Sequence, residues 1–170
     1  MIDNFDRALE MVLEHEGLFS NHSADPGGAT MRGVTKKTFE DWVGREVTID
    51  EMKALTVDDV APIYKVQYWD RIRADDIDGG LDVALFDWAV NSGTGRSAKA
   101  IQEIAGVTAD GAIGPVSLKA IADLDTKEAI EELYKVRETF YRRLSAYETF
   151  GRGWSRRNLE TAETAKGMVG

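Results

Sequence analysis

Apolar residues recur at helical spacing from the start of the chain. Phe5, Ala8, Leu9, Val12 and Leu13 fall on one face of a helix predicted over Asp3 to Glu16, which Asp3 or Asn4 can cap. Gly17 ends that pattern, and Ser20 to Gly33 is rich in Ser, Asn, Asp, Pro and Gly, as in a loop or short hairpin. Helical periodicity returns over Thr35 to Val43, Thr48 to Ala54 and Val57 to Tyr68. Thr48-x-x-Glu51 forms a capping box, and Thr35-x-x-Thr38 a weakened one.

Gly79-Gly80 breaks the chain before an apolar helix, Leu81 to Asn91. With Leu81, Ala84, Leu85, Trp88 and Ala89 on one side, it is expected at the centre of the core. Further helices are predicted at Ser97 to Ala105, Val116 to Ala122 and Lys127 to Tyr147, with the turn-rich Asp110-Gly111-Ala112-Ile113-Gly114-Pro115 between the first two. The last stretch, Gly151 to Gly170, is polar and holds a terminal helical segment. No internal repeat, low-complexity tract or charge block is present. This is the pattern of a mostly α protein, with any sheet confined to a small hairpin or loop region after the first helix.

Composition narrows the function classes. At 170 residues with 43% hydrophobic and 30% charged residues, the chain is of the size and balance of a folded domain that needs no staples. Cysteine is absent, which removes disulfides, thiolate metal sites and a cysteine nucleophile. A net charge of -9 disfavours nucleic acid and anionic membrane surfaces, and leads us to expect activity that salt affects weakly. Met1-Ile2-Asp3-Asn4-Phe5-Asp6 lacks the basic and apolar regions of a secretion signal, and no apolar run approaches membrane-spanning length. The expectation is a monomer made in the cytoplasm, with no membrane insertion.

One carboxylate stands out by helical phase. Glu16 lies eleven positions after Phe5 and, at about 100° per residue, returns to within roughly 20° of it. It thus continues the Phe5, Leu9, Val12 stripe, whereas Glu10 and Glu14 fall away from it. A carboxyl at the end of an apolar stripe is partly desolvated, which favours the protonated form that general-acid cleavage of a glycosidic bond requires. Phase alone is equally served by a solvated residue at a fraying helix end. The following loop, Asp25-Pro26-Gly27-Gly28-Ala29-Thr30, adds a second carboxylate, a hydroxyl, and glycines that let backbone approach a sugar. Asp25 either assists water and stabilises positive charge or closes an Asx-type turn.

His15-Glu16-Gly17-Leu18-Phe19, followed by Asp25-Pro26-Gly27-Gly28-Ala29-Thr30-Met31-Arg32-Gly33-Val34-Thr35, resembles the N-terminal signature of glycoside hydrolase family 108, the N-acetylmuramidases of phages and prophages. Leu18-Phe19 stands where that family has Gly-Tyr, and Val34 where it has Ile. Tyr64-x-x-x-Tyr68-Trp69-Asp70 is similar to a further family segment. Phe86-Asp87-x-Ala89-Val90-Asn91-Ser92-Gly93 with Asp110-Gly111-x-x-Gly114-Pro115 resembles its C-terminal predicted peptidoglycan-binding region.

The resemblance implies a lysozyme-like fold, with residues 1–70 catalytic and 71–170 a helical peptidoglycan-binding part packed into the same body. It implies a peptidoglycan hydrolase that cleaves between N-acetylmuramic acid and N-acetylglucosamine for host cell lysis, with holin-type release to the wall and Glu16 as the catalytic acid. The run is also similar to the Glu, Asp, Thr triad of phage lysozymes. Glu16 and Asp25 keep its spacing of eight intervening residues, and Thr30 or Thr35 fills the third place.

Gly27, Gly28, Tyr68 and Asn91 are candidate substrate contacts. Trp69 and Trp154 offer aromatic faces, although tryptophans at helical spacing, Trp42, Trp69 and Trp88 among them, are more often core. Alternatives within reach of the same residues are a lytic transglycosylase, and a wall-binding or phage structural protein without turnover.

Other motifs fail. His15-Glu16 has no second histidine at zinc-protease spacing, and His22 is the only other histidine. Gly28-x-x-x-x-Gly33 lacks a phosphate-loop lysine, Asp76-x-Asp78-Gly79 does not complete a calcium loop, and Asn21-His22-Ser23 is a glycosylation sequon without secretory context. No cofactor and no metal are indicated.

Overall fold

The structure, a computed structural model, describes residues 4–22 and 28–170. It is mostly helical, and its chain divides into two compact units, one of Leu9–Gln67 and one of Met1–Ala8 with Tyr68–Gly170.

The first helix, α1 (Asn4–Glu16), has the predicted bounds within the described residues. In the smaller unit it is followed by a three-stranded antiparallel sheet of β1 (Phe19–Ser20), β2 (Thr30–Met31) and β3 (Val34–Thr35). β2 and β3 pair Thr30 with Thr35 and Met31 with Val34, so Arg32-Gly33 is a two-residue turn. Both turn residues have positive φ, 51° and 77°, as the right-handed twist of a tight hairpin demands.

Next come α2 (Lys36–Val43) and α3 (Ile49–Lys53). Thr35 caps α2 by accepting from the Thr38 amide, and the Thr48/Glu51 capping box forms with both of its hydrogen bonds. The last helix of this unit, α4 (Val57–Tyr64), widens into a π-helical stretch over Lys65–Trp69. The single helix predicted to Tyr68 thus changes its hydrogen-bond register after Tyr64. Leu9, Val12, Met31, Val34, Met52, Val60 and Ile63 are buried in this unit.

In the larger unit, a short 3-10 turn (Ala74–Asp76) precedes α5 (Leu81–Ser92), which is buried on all sides from Leu81 to Ala89. A helix buried around its whole circumference, with its carboxylates Asp82 and Asp87 hydrogen-bonded or ion-paired, belongs at the centre of a bundle. Around it stand α6 (Thr94–Ile104), α8 (Thr126–Arg142) and α9 (Tyr147–Met168), and α7 (Pro115–Ala122) packs on α6. Phe5, Trp69 and Phe86 meet edge to face, with ring centroids 5.3 to 5.8 Å apart.

Two expectations are corrected here. The helix predicted from Lys127 to Tyr147 is two helices, since α8 stops at Arg142 and α9 starts at Tyr147. The polar terminal stretch is part of that 22-residue α9, the longest helix among the described residues, with Asn158, Thr161, Ala162 and Ala165 buried. Gly151 lets the Tyr147 ring lie against the helix backbone, because a β-carbon there would come within 2.6 Å of ring carbons.

Candidate active site

Glu16 is the last residue of α1, is half-buried, and is followed by Gly17 at φ 73°. Its side chain runs beside the β2–β3 turn. A β-carbon built on Gly33 would lie 3.1 Å from both Cβ and Cγ of Glu16 and would collide with the Tyr64 hydroxyl. Handedness and lack of space therefore both require glycine at this position.

Three hydrogen bonds hold the turn in place. The Tyr64 hydroxyl donates to the Arg32 carbonyl (2.9 Å), Arg32 Nε donates to the Leu55 carbonyl (3.1 Å), and the Arg32 amide donates to the Leu18 carbonyl (3.0 Å). Tyr64 itself is buried. A carboxyl at a helix end, backed by a turn tied to α4 and to the strand connection, is held by its surroundings and does not depend on its own rotamer alone.

Thr30 lies in β2, half-buried, one strand away from Thr35 in register. The Thr35 hydroxyl is engaged as the α2 cap: it accepts from the Thr38 amide and donates to the Thr38 hydroxyl at 2.9 Å. Gly28, at φ 76°, sits beside the start of α2, with Lys36 Cβ 3.8 Å from where its own β-carbon would be. Asp25 and Gly27 lie outside the described residues. The smaller unit thus contains Glu16, Gly28 and Thr30, while Tyr68 and Asn91 belong to the larger one.

Tyr68 is half-buried in the π-helical stretch. Trp69, a candidate sugar platform from its sequence context, is 1% exposed; its indole donates to Asp75 at 2.6 Å, and its ring is core. Trp42, grouped with the core tryptophans by spacing, is exposed instead, because α2 has no buried residue.

Asn91 belongs to a polar chain at the heart of the larger unit. Its Oδ1 accepts from the Tyr141 hydroxyl (2.5 Å) and from the Ser92 hydroxyl (2.6 Å), and Tyr141 in turn accepts from Arg137 Nε (2.8 Å). Arg137 pairs with the buried carboxylate of Asp87 at 2.7 Å, which Arg157 also grips at 2.9 Å and Thr161 bonds at 3.2 Å. Burial pushes the Asp87 carboxyl up, but the charges and hydrogen bonds of the two arginines outweigh that and hold it below the usual carboxylate value.

The Asp110 segment is a clamped loop. Gln102, buried on α6, has Asp110, the Ala112 carbonyl and Ser117 around its amide nitrogen at 2.9 to 3.1 Å, and its oxygen accepts from the Gly111 amide. Sequence reasoning did not single out Tyr64, Gly33 or the Asp87 network as parts of a site, although Tyr64 stood in a motif four residues before Tyr68.

The model of the Glycosyl hydrolase 108 family matches residues 9–93, and that of the Predicted Peptidoglycan domain matches residues 96–159. The solved structure of SagA from Brucella abortus superposes with a TM-score of 0.84 at 36% identity, covering 96% of this chain and 94% of that one. None of the curated proteins matches. With its family model spanning half of its length, a small sheet after the first helix of a lysozyme-like, mostly α fold, and a peptidoglycan-domain match that follows it in sequence, the chain belongs to the glycosyl hydrolase 108 family of peptidoglycan hydrolases.

Proposed function

We propose that this glycoside hydrolase cleaves the bond between N-acetylmuramic acid and N-acetylglucosamine with Glu16 as general acid. The observation that carries the reading is the setting of Glu16: half-buried at the end of α1, with its Cβ and Cγ beside Gly33, where a β-carbon would come within 3.1 Å of them, in a turn fixed by Tyr64. Glu16 gives its proton to the glycosidic oxygen as the bond to the anomeric carbon breaks. Water then adds its hydroxyl to that carbon, its remaining proton restores an acid, and the product ends in a reducing N-acetylmuramic acid. Asp25 guides the water or stabilises the positive charge. Thr30 is the better third partner, since the Thr35 hydroxyl is engaged in capping α2.

Residues 1–70 carry the chemistry in this reading and 71–170 hold the polymer, which the peptidoglycan-domain match over 96–159 supports. The biological role proposed is lysis of a bacterial host after release to the wall. Release of reducing ends from purified peptidoglycan tests the enzymatic part. Glu16→Gln should lower the rate by about 10²- to 10⁴-fold, the range that a general acid contributes, and a variant that retains most of the activity would remove Glu16 from this role.

A further inference from the structure

Three adjoining hollows run along α8 in the larger unit and share walls. The largest, about 430 Å³, lies between α6 and α8 and is lined by Trp88, Arg96, Lys99, Glu103, Val136 and Phe140. A second, about 370 Å³, shares Glu103, Val136 and Phe140 with it and reaches Lys135 and Arg143. The third, about 350 Å³, shares Arg96 and Phe140 and reaches Asn91, Leu144 and Trp154. Phe140 borders all three. From Lys135 to Arg142, α8 rises roughly 10 Å, so the hollows form a groove long enough for more than one chemical group of a polymer.

The charge of this groove opposes that of the chain. Against a net charge of -9, its walls carry four cations, Arg96, Lys99, Lys135 and Arg143, and one carboxylate, Glu103. Lys135 is shared with Glu132 at 2.8 Å. The Arg96 guanidinium lies 4.1 Å from the centre of the Phe140 ring, an arrangement that holds the group in place while its N–H donors remain directed within its own plane. Beneath this wall, the Asn91, Tyr141, Arg137 and Asp87 chain fixes α5 and α8 relative to each other. An aromatic strip edged by cations suits a ligand that is apolar along its length and anionic at intervals.

In peptidoglycan, the N-acetylated sugars carry no ionised group once the lactyl carboxyl is amide-linked. The free carboxylates lie on the stem peptide. We infer that this groove holds the stem peptide attached to N-acetylmuramic acid, with its carboxylates on Arg96, Lys99 and Arg143 and its aliphatic parts along Phe140 and Trp154. The inference rests on the reading of the chain as a peptidoglycan hydrolase, and on the groove falling within residues matched by the peptidoglycan-domain model or bordering them. It gives a net-acidic protein a local means of recognising an anionic wall polymer.

Isothermal titration of the full chain carrying Glu16→Gln tests it, using two probes: a reduced disaccharide bearing a tetrapeptide stem, and the same disaccharide with the peptide removed by an amidase. The peptide-bearing probe should bind at least about tenfold more tightly, since the amidase product keeps only its lactyl carboxylate, whereas the stem carries several carboxylates spaced along a chain that can reach separate cations of the groove. The combined change Arg96→Gln and Lys99→Gln should erase that advantage with an unchanged Tm, and Arg143→Gln should reduce it. Equal binding of the two probes, or a peptide advantage that survives all three substitutions, overturns the proposal. Because titration needs no turnover, failure of the wild type to release reducing ends would count against the hydrolase reading and leave this result standing separately.

Discussion

Tyr64 and Arg32 stand thirty-two positions apart, and the hydroxyl of the first donates to the backbone carbonyl of the second at 2.9 Å, pinning the turn beside which Glu16 rests. Tyr64→Phe removes the hydrogen bond to the Arg32 carbonyl and should cost about 1 kcal/mol of stability or more. Its effect on kcat should exceed its effect on Tm, because the loosened turn is the one beside the proposed acid. Gly33→Ala should be more severe, combining a left-handed backbone with a β-carbon driven into Tyr64 and Glu16. Thermal melts run alongside reducing-end kinetics check both; normal activity in Gly33→Ala would show that the turn does not position Glu16.

Asp87 should be the largest single polar contributor to the larger unit. Asp87→Asn leaves Arg137 and Arg157 without their buried counter-charge and should cost about 3–5 kcal/mol in urea denaturation. The folded-state carboxyl titrates below its ordinary value. Its contribution is therefore fully present above the unfolded value, about 3.9, and is lost as pH falls through the lower folded value. Stability of the wild type should fall along this acid limb, and the Asp87→Asn variant should show a shallower fall as pH is lowered below about 4.

Asp82 should behave in the opposite sense. Burial pushes its carboxyl up, against the hydrogen bonds from Asn4, Val83 and Gly80. A raised folded-state value means that the ionised group costs stability at neutral pH, and that this cost is relieved as pH falls toward the unfolded value. Asn4→Ala removes one of the bonds that favour the ionised form. It should destabilise the protein more at pH 7 than at pH 4, and an equal loss at the two values would contradict this account of Asp82.

Gly80 ties the start of α5 to the end of α9. At φ 98°, a β-carbon there would collide with the Ala165 carbonyl and come within 3.0 Å of Val169. Gly80→Ala should lower stability by at least about 1–3 kcal/mol, from backbone strain alone. Hydrogen exchange should show the loss concentrated in the last turns of α9. A uniform increase in exchange across all helices would argue against this docking role.

Much of the fold was legible because local chemistry decides it. Thr35, Thr48 with Glu51, and Gly80 set helix starts through bonds or dihedrals within a few residues, and the apolar run of α5 announces a central helix. The break between α8 and α9 was hidden, since Arg143-Leu144-Ser145-Ala146 contains no glycine or proline and Ala146 offers α9 no side-chain cap. Trp69 and Trp88 are core, as their helical spacing suggested, whereas Trp42 is exposed, because helical phase does not reveal which face meets a partner. Glu16 was legible from phase within its own helix. Gly33 and Tyr64 were not, because their contact depends on a turn meeting a helix some thirty residues away, where no periodicity applies.

The central claim is that Glu16 is the acid that cleaves peptidoglycan to reducing N-acetylmuramic acid ends. Mass spectrometry of the soluble products from purified peptidoglycan, after incubation with the wild type and with Glu16→Gln, tests it most directly. Reducing muropeptides from the wild type and none from the variant are the predicted result. Anhydro-muropeptides from the wild type, or the same reducing products from the variant at a similar rate, would contradict it.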